Sequence, residues 1–227
     1  MKHTSPGSLG HPLLERVGVF HGFGRRDARP LEAVVRPSQV HGVAVAVAKQ
    51  GRAEPAEADA IVSTDATCPV GVVTADCVPV LAASADGSAV VAIHAGWRGL
   101  AAGIVGQGLD ALRHVARVES DLVAVIGPHI GPCCYEVDEP VLGPLRSRFG
   151  SSVEVATRRV GQLRPGHWML DLGHLVAVDL ERAGVPARSY GRFQDSCTFC
   201  NPEFHSHRRD GARAGRLLHY VQSKLPS

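Results

Sequence analysis

Short apolar runs rich in β-branched residues follow one another through the first half of the chain. Most of these runs do not alternate between apolar and polar positions, which is typical of strands buried on both faces of a sheet. We therefore predict strands over Arg16–Phe20, Leu31–Arg36, Val43–Ala48, Ala58–Ser63, Val70–Thr74, Val78–Ala83, Ala89–His94 and Leu122–Ile126.

Helical periodicity begins after the early strands. From Ala101 to Ala116, apolar side chains recur at four- and three-residue intervals and form one stripe. Asp171 can cap a second helix that runs to Ala183, and Gly215–Gln222 is predicted to be a final helix. Strands cluster early and helices are added later, so the pattern predicts a mixed α/β (α+β) fold around a large sheet core.

The length of 227 residues is compatible with one large domain or two small ones. Residues 1–12 are mostly small and polar and are expected to be frayed, whereas residues 13–227 show no linker and are predicted to form one domain. The apolar fraction of 44% is enough for a core that needs no disulfides.

The charge balance and the N-terminus narrow the classes of partner. A formal net charge of +2 gives no indication of nucleic-acid binding. No apolar run at the N-terminus indicates a secretory signal, and no stretch approaches the roughly 20 apolar residues of a membrane span. We expect a cytoplasmic protein whose six cysteines are reduced thiols or metal ligands. The oligomeric state is left open.

Three short segments carry most of the candidate chemistry. They are Gln39-Val40-His41-Gly42, Thr74-Ala75-Asp76-Cys77-Val78-Pro79 and His94-Ala95-Gly96-Trp97-Arg98-Gly99. Each places one metal ligand, His41, Cys77 or His94, where a strand is predicted to meet a loop. Taken singly, each is more often a turn histidine, a small buried thiol or a core histidine. Together, two imidazoles and a thiolate suit zinc, and three protein ligands leave the fourth position open, as in catalytic sites.

The residues beside these ligands suggest an anion site and a proton carrier. Arg98 follows Trp97 where a strand leads into a helix, and helix N-termini attract anions. Its guanidinium can add a bidentate contact to a phosphate or carboxylate. Asp76, next to Cys77, is the candidate general acid or base.

Several motifs, in the same order along nearly the whole chain, resemble those of the YfiH-type family. Members of this family are described variously as polyphenol oxidase (laccase), purine nucleoside phosphorylase and peptidoglycan editing factor. The matching segments are His21-Gly22-Phe23, the three segments above, Gly127-Pro128-His129-Ile130, Cys134-Tyr135-Glu136-Val137, Ser206-His207-Arg208-Arg209-Asp210-Gly211 and Gly215-Arg216. The chain departs from the family in a shorter stretch before Gln39 and in His205, where a phenylalanine is usual.

The resemblance implies that His41, Cys77 and His94 bind zinc. It also implies a fold like the catalytic domain of cytotoxic necrotizing factor, with packed β-sheets flanked by helices. The implied activity is that of a zinc-dependent purine nucleoside phosphorylase acting on adenosine, inosine and methylthioadenosine, with adenosine deaminase activity. Its ligands are then a small nucleoside and phosphate, for which Arg98 and Arg208 are the candidate phosphate contacts.

Three other functions remain open at this point. A cysteine hydrolase would use Cys77 as nucleophile and His94 as base, for example in peptidoglycan-precursor editing. A copper-dependent polyphenol oxidase is the second alternative, because copper (Cu2+) can displace zinc (Zn2+) at most nitrogen and sulfur sites. The chain has one His-x-His pair, His205 and His207, of the kind that multicopper sites use. A non-enzymatic binding module is the third.

The remaining cysteines lie outside these motifs. Cys197 and Cys200 form a Cys-x-x-Cys pair that is followed by His205 and His207. These four residues are compatible with a zinc knuckle or with packed thiols under a loop. The short spacing between the pairs favours packed thiols. Cys133-Cys134 would point in opposite directions if extended, and Cys68 has no evident partner.

Overall fold

The computed structural model describes residues 4–29, 31, 33–49, 51–117, 121–159 and 164–224. Its helices are α1 (Pro12–Arg16), α2 (Trp97–Ala102), α3 (Ile104–Ala116), α4 (Glu139–Phe149), α5 (Ser152–Ala156), α6 (Leu172–Arg182) and α7 (His207–Asp210). Its strands are β1 (Phe20–Gly22), β2 (Val45–Lys49), β3 (Arg52–Glu54), β4 (Ala60–Ser63), β5 (Val70–Thr74), β6 (Val78–Ser84), β7 (Val90–Ala95), β8 (Leu122–Ile126), β9 (Glu136–Asp138), β10 (Thr157–Arg159), β11 (His167–Leu170), β12 (Tyr190–Arg192) and β13 (Leu217–Gln222).

A seven-stranded mixed sheet, in the order β12-β8-β6-β7-β4-β2-β3, forms the centre of the fold. Its β12–β8 and β2–β4 pairs are parallel, and the other pairs are antiparallel. Two antiparallel three-stranded sheets, β1-β13-β5 and β10-β11-β9, complete the described sheet structure.

Both faces of the central sheet are covered. On one face, Ile93 lies in a buried cluster with Leu109 of α3 and Val176 of α6. On the other face, Leu81 packs in a second cluster with Val221 of β13 and with residues of α1. Every residue of β6 and β7 is buried, which explains why these runs do not alternate. The predicted mixed α/β fold is confirmed.

The strand directions bring four loops to one end of the central sheet. Strands β4 and β6 begin there, and β7, antiparallel to both, ends there. Because β2 is parallel to β4, the loop before β2 reaches the same end. The three motif segments all lie in these loops or at these strand ends, so the topology alone draws them together.

Most early strands match their predicted positions, with two exceptions. Val70–Thr74 and Leu122–Ile126 have the predicted bounds. Arg16–Phe20 was wrong, because Pro12–Arg16 is helical and a strand begins only at Phe20. Within Leu31–Arg36, where residue 32 lies outside the described ranges, Val35 forms an isolated bridge to Val70.

The predicted final helix over Gly215–Gln222 was wrong. Leu217–Gln222 is instead strand β13, which pairs with β1 on one side and β5 on the other. Pairing on both sides satisfies the strand's backbone groups and buries His219 and Val221, and this tertiary context outweighs local helix propensity.

The long helix predicted from Ala101 to Ala116 is divided at Gly103. This glycine adopts φ 99°, a left-handed conformation that ends α2, and its N–H bonds to the carbonyls of Gly99 and Leu100. The predicted cap of α6 is confirmed, since Asp171 Oδ1 accepts from His174 N at 2.8 Å. No element was predicted between Gly127 and Leu170, where α4, α5 and the β9–β11 sheet lie.

The N-terminal segment makes defined contacts from residue 4 onward. Ser5 N donates to the Tyr220 hydroxyl at 2.9 Å, and Leu9 forms a bridge with Phe23. The sequence predicts fraying over residues 1–12; residues 1–3 lie outside the described part. Across the described ranges, the helices are too short or too polar to span a bilayer.

Candidate metal centre and its pockets

The three predicted metal ligands converge at the end of the central sheet. One ligand atom each from His41, Cys77 and His94 lies within 4.8 Å of the others, and these residues are called the His-Cys-His cluster below. The Cys77 Sγ is 3.9 Å from His41 Nε2, and the two imidazole rings meet edge to face at 4.8 Å. His94 is buried, Cys77 is half-buried and His41 is exposed, so the cluster is accessible from one side.

A fully buried carboxylate, Asp59, holds two of the ligands, and the sequence analysis missed it. Asp59 Oδ1 accepts from His94 Nδ1 at 2.8 Å, and its carbonyl accepts from His94 N at 2.7 Å. The same carboxylate accepts from the backbone N–H groups of His41 at 2.9 Å and Gly42 at 2.6 Å. Because Nδ1 of His94 donates to Asp59, Nε2 is the ring nitrogen left to bind a metal, which would displace any proton it carries.

The loop that carries His41 is shaped around this carboxylate. His41 adopts φ 60°, a left-handed conformation that costs an L-residue roughly 1–2 kcal/mol. It directs successive N–H groups at Asp59, and each hydrogen bond to a charged group contributes about 1.5–3 kcal/mol. The bonds outweigh the strain. An aspartate inside the apolar run 58–63 was the sequence signal for this residue.

A glycine allows the end of β7 to lie against the ligands. A Cβ on Gly96 would lie 2.8 Å from His41 Cδ2 and 3.3 Å from Cys77 Sγ. Any larger residue would therefore displace a ligand, which accounts for the glycine after His94 and Ala95.

The protein groups of the cluster favour a thiolate beside an imidazolium. Burial opposes ionisation of Cys77, but hydrogen bonds from His41 and His94 lower its pKa to about 7. Burial also opposes protonation of His94, but its bonds to Asp59 and Cys77 raise its pKa to about 9. Asp59 itself has a lowered pKa, because its hydrogen bonds to His94 and Gly42 outweigh its burial.

The cluster lies between a large cleft and a small pocket. The cleft has a volume of about 1250 Å³ and is lined by all three ligands together with Arg36, Arg52 and Arg216. Arg216 lies in one of the matching motifs, but no role was predicted for any of these three arginines from the sequence. The small pocket, of about 170 Å³, also borders Cys77. Its lining includes Trp97, Ile130, Tyr135 and Leu172 as well as Asp76, His207 and Arg208.

Asp76 ties the Cys77 loop to the C-terminal part of the chain. It adopts φ 92°, its Oδ1 accepts from Thr198 Oγ1 at 2.6 Å, and its Oδ2 accepts from Arg208 N at 2.6 Å. Its carbonyl accepts from Ile130 N at 3.0 Å. The residue thus fixes one wall of the small pocket, and its use as an acid or base stays a prediction.

The two predicted phosphate contacts flank the aromatic side chains. The exposed Arg98 stacks on Trp97, with its Cζ 4.3 Å from the ring centroid. Arg208 lies over Tyr135 at 5.3 Å and donates to the Glu136 carbonyl at 2.9 Å. Of the two, Arg208 lines the small pocket.

The His-x-His pair does not act as a unit. His205 packs against Gly215, where a Cβ would lie 2.5 Å from its Nε2, whereas His207 begins α7 and lines both the cleft and the small pocket. Neither residue belongs to a group of converging ligand atoms in the described ranges.

A second group of converging ligand atoms consists only of cysteines. The sulfur atoms of Cys133, Cys134, Cys197 and Cys200, called the cysteine tetrad below, lie within 4.8 Å of one another. Cys133 and Cys134 do not point apart, because a turn in which Cys134 N bonds to Gly131 O at 3.0 Å replaces the extended chain.

Comparison with known protein families gives the class of protein. Residues 24–224 match the family described as multi-copper polyphenol oxidoreductase laccase, and the chain belongs to that family. The predicted YfiH-type membership is confirmed.

Named relatives narrow the comparison further. The chain is 35% identical, over 207 residues, to a protein named purine nucleoside phosphorylase YlmD from Geobacillus stearothermophilus, covering 86% of this chain and 73% of that one. The crystal structure of YlmD from the same organism superposes with a TM-score of 0.80 at 26% identity, over 95% of both chains. The crystal structure of the hypothetical protein YfiH from Bacillus licheniformis gives 0.78 at 26% identity, over 91% of this chain and 93% of that one.

Proposed function

We propose that this protein is a zinc-dependent purine nucleoside phosphorylase that acts on adenosine, inosine and methylthioadenosine and also deaminates adenosine. The observation that carries the proposal is the His-Cys-His cluster at the floor of a cleft, with Asp59 orienting His94. The relatives named purine nucleoside phosphorylase support the substrate class.

The donor set fits a zinc ion. Two imidazole nitrogens and one thiolate are ligands that zinc prefers, and three protein ligands would leave one coordination position for water or substrate. His41, Cys77 and His94 would hold the ion, which would supply a Lewis acid at the floor of the cleft. Copper prefers the same donors, so copper loading and oxidase activity can arise by substitution.

The walls of the small pocket suit a purine. Trp97 and Tyr135 present flat aromatic surfaces, and Ile130 and Leu172 add apolar area. Bases stack on aromatic side chains with about 1–3 kcal/mol each. We assign the purine to this pocket, beside Asp76, and the ribose to the side of Cys77 that faces the cleft.

Arg98 and Arg208 are the candidate phosphate-binding residues. In phosphorolysis, a phosphate oxygen attacks C1′ of the ribose, the bond from C1′ to the purine nitrogen breaks, and its electron pair leaves with the purine. Arg98 and Arg208 flank Trp97 and Tyr135, where they can orient the dianion. Asp76 is our candidate for moving the proton that the departing purine takes up. In deamination, water replaces the amino group at C6, ammonia leaves, and Asp76 moves the proton between them.

The test is a product assay on zinc-loaded and chelated protein. Ribose 1-phosphate (or its methylthio derivative) and free purine should appear from the three nucleosides only when phosphate is present, and inosine should appear from adenosine without it. Chelation should remove both activities, and zinc should restore them. Zinc-loaded protein that releases no sugar phosphate from any of the three nucleosides would overturn the proposal.

The position of His41 separates this proposal from the cysteine hydrolase. That alternative rests on the likeness to cytotoxic necrotizing factor, which stays a prediction, and it uses only Cys77 and His94. In the structure, His41 Nε2 is 3.9 Å from the thiol, so a second imidazole shares the sulfur. This arrangement favours a metal ligand set over a catalytic dyad.

A further inference from the structure

The cysteine tetrad brings together two distant parts of the chain. Cys133 and Cys134 lie in the turn between β8 and β9, and Cys197 and Cys200 lie in the loop between β12 and α7. Cys200 Sγ is 3.6 Å from Cys133 Sγ and 3.2 Å from Cys134 Sγ, across 67 and 66 residues of sequence. Four sulfurs that share one small volume need a physical reason to be there.

Neither burial nor disulfide bonding supplies that reason. Cys133 and Cys200 are exposed, so the four side chains do not form an apolar core. A disulfide requires two sulfurs at about 2.05 Å, whereas all four cysteines are free thiols and Cys200 Sγ lies 3.2 and 3.6 Å from its neighbours. In contrast, four thiolates at about 2.3 Å from one zinc ion are separated by about 3.8 Å, which is close to the spacing of the tetrad.

The backbone around the tetrad provides the contacts that thiolate ligands need. Gly131 N donates to Cys197 Sγ at 3.2 Å, and His129 pairs with Cys197 in a parallel bridge. Arg209 donates from its guanidinium to the carbonyls of Thr198 and Phe199, both at 3.0 Å, inside the Cys-x-x-Cys loop. The Gly131 N–H can stabilise negative charge on the Cys197 sulfur, and Arg209 fixes the backbone of the loop that carries Cys197 and Cys200.

We propose that Cys133, Cys134, Cys197 and Cys200 bind one zinc ion as a closed, four-thiolate structural site. Binding converts four thiols to thiolates and releases their protons, with no change of oxidation state. Four protein ligands fill the coordination sphere, so this site has no position for substrate. The observations that support this site do not rest on the proposed nucleoside chemistry.

The ion would fix the wall of the small pocket. It would join the turn that precedes Tyr135 to the loop that carries Thr198, which donates to Asp76. Ile130 and Tyr135 flank the first segment and His207 and Arg208 follow the second, and all four line that pocket. A link between the two segments therefore holds these lining residues in place.

Metal counting on protein purified in reductant without chelator tests this site directly. We expect Cys197→Ser and Cys200→Ser each to bind one metal equivalent less than the parent protein, and Cys68→Ser, a cysteine outside the tetrad, to bind as much as the parent. His41→Ala should retain the tetrad's equivalent, whatever its nucleoside activity. Titration of His41→Ala with Co²⁺ should give the intense thiolate-to-cobalt absorption of a four-sulfur site, which Cys200→Ser in the same background should lack.

Two results would overturn the assignment. One is unchanged metal content in both serine variants. The other is a His41→Ala protein, fully reduced by mass spectrometry, that takes up Co²⁺ without thiolate-to-cobalt absorption. The second measurement needs no tetrad variant, so it decides the question even if the serine variants fail to fold.

Discussion

The His-Cys-His cluster and the cysteine tetrad use similar atoms in opposite ways. The first takes its ligands from one end of a rigid seven-stranded sheet and has a buried carboxylate behind it. The second takes its ligands from two loops and has backbone N–H groups and an arginine behind it. The first has three ligand groups and borders a cleft, whereas the second has four and is complete without any other molecule.

This difference shows that the number of ligands, and the contacts that orient them, distinguish a catalytic metal site from a structural one. A site that does chemistry needs an open position and ligands whose orientation is fixed by second contacts, which Asp59 supplies. A site that holds loops together needs only enough ligands to close its coordination sphere. The same chain therefore offers a direct comparison of open and closed metal binding.

The largest effect is expected from removing a ligand of the His-Cys-His cluster, called the open site below. His41→Ala and Cys77→Ser should each lose one zinc equivalent and reduce turnover about a thousandfold or more, because a Lewis acid contributes several kcal/mol to a transition state. Metal analysis and ribose 1-phosphate release measure both effects, and the exposed His114→Ala is the control. Near-parental turnover by metal-free His41→Ala would refute the metal-enzyme proposal and favour the cysteine hydrolase.

The second effect tests the hydrogen bond by which Asp59 orients His94. Asp59→Asn keeps the size of the side chain but removes the charge that orients His94, so zinc affinity of the His-Cys-His cluster should fall 10- to 100-fold. Competition with a chelating dye measures the affinity, and exposed Asp86→Asn serves as control. Affinity of the tetrad should not change. Equal weakening of both sites would show a general loss of folding rather than a positioning role.

The third effect concerns substrate, which only the open site should bind. Arg98→Lys keeps the charge but loses the planar fork, so phosphorolysis should fall by a factor equivalent to about 1.5–3 kcal/mol. Deamination, which needs no phosphate, should change much less. Arg188→Lys, at another exposed position, is the control. Equal loss of both activities would mean that Arg98 contacts the nucleoside or acts structurally.

The last prediction concerns folding stability rather than metal or substrate binding. His219 is fully buried, and burial, together with the charge of His94, lowers its pKa from 6.5 to about 3. Between these values the unfolded chain binds a proton that the folded chain does not, so stability falls as pH falls.

The predicted slope is about 1.4 kcal/mol per pH unit between roughly pH 6 and 4. Denaturant titrations of chelated His219→Gln should lack this slope, since a neutral amide can still bond to Thr74 Oγ1, which is 2.9 Å from the imidazole. His114→Gln should keep it. A pH dependence identical in parent and His219→Gln would contradict the assignment.

Local signals were sufficient for the core strands and for the three residues that converge in the His-Cys-His cluster. The apolar runs of β6 and β7 reflect burial on both faces, and His41, Cys77 and His94 each lie in a short distinctive segment. Asp59 was missed because its partner His94 is 35 residues away and the two meet only through strand pairing. The tetrad was missed for the same reason, because sulfur contacts within it span 66 and 67 residues of sequence. Strand β13 was missed because its pairing with two strands outweighs its local helix propensity.

X-ray absorption at the zinc edge tests the contrast between the two sites most directly. It should be measured on zinc-loaded His41→Ala and Cys200→Ser. We predict an all-sulfur shell at about 2.3 Å in His41→Ala, and a shell in Cys200→Ser that contains nitrogen at about 2.0–2.1 Å with a single sulfur. The same mixed shell in both variants, or no bound zinc in His41→Ala, would contradict the account of one open and one closed site.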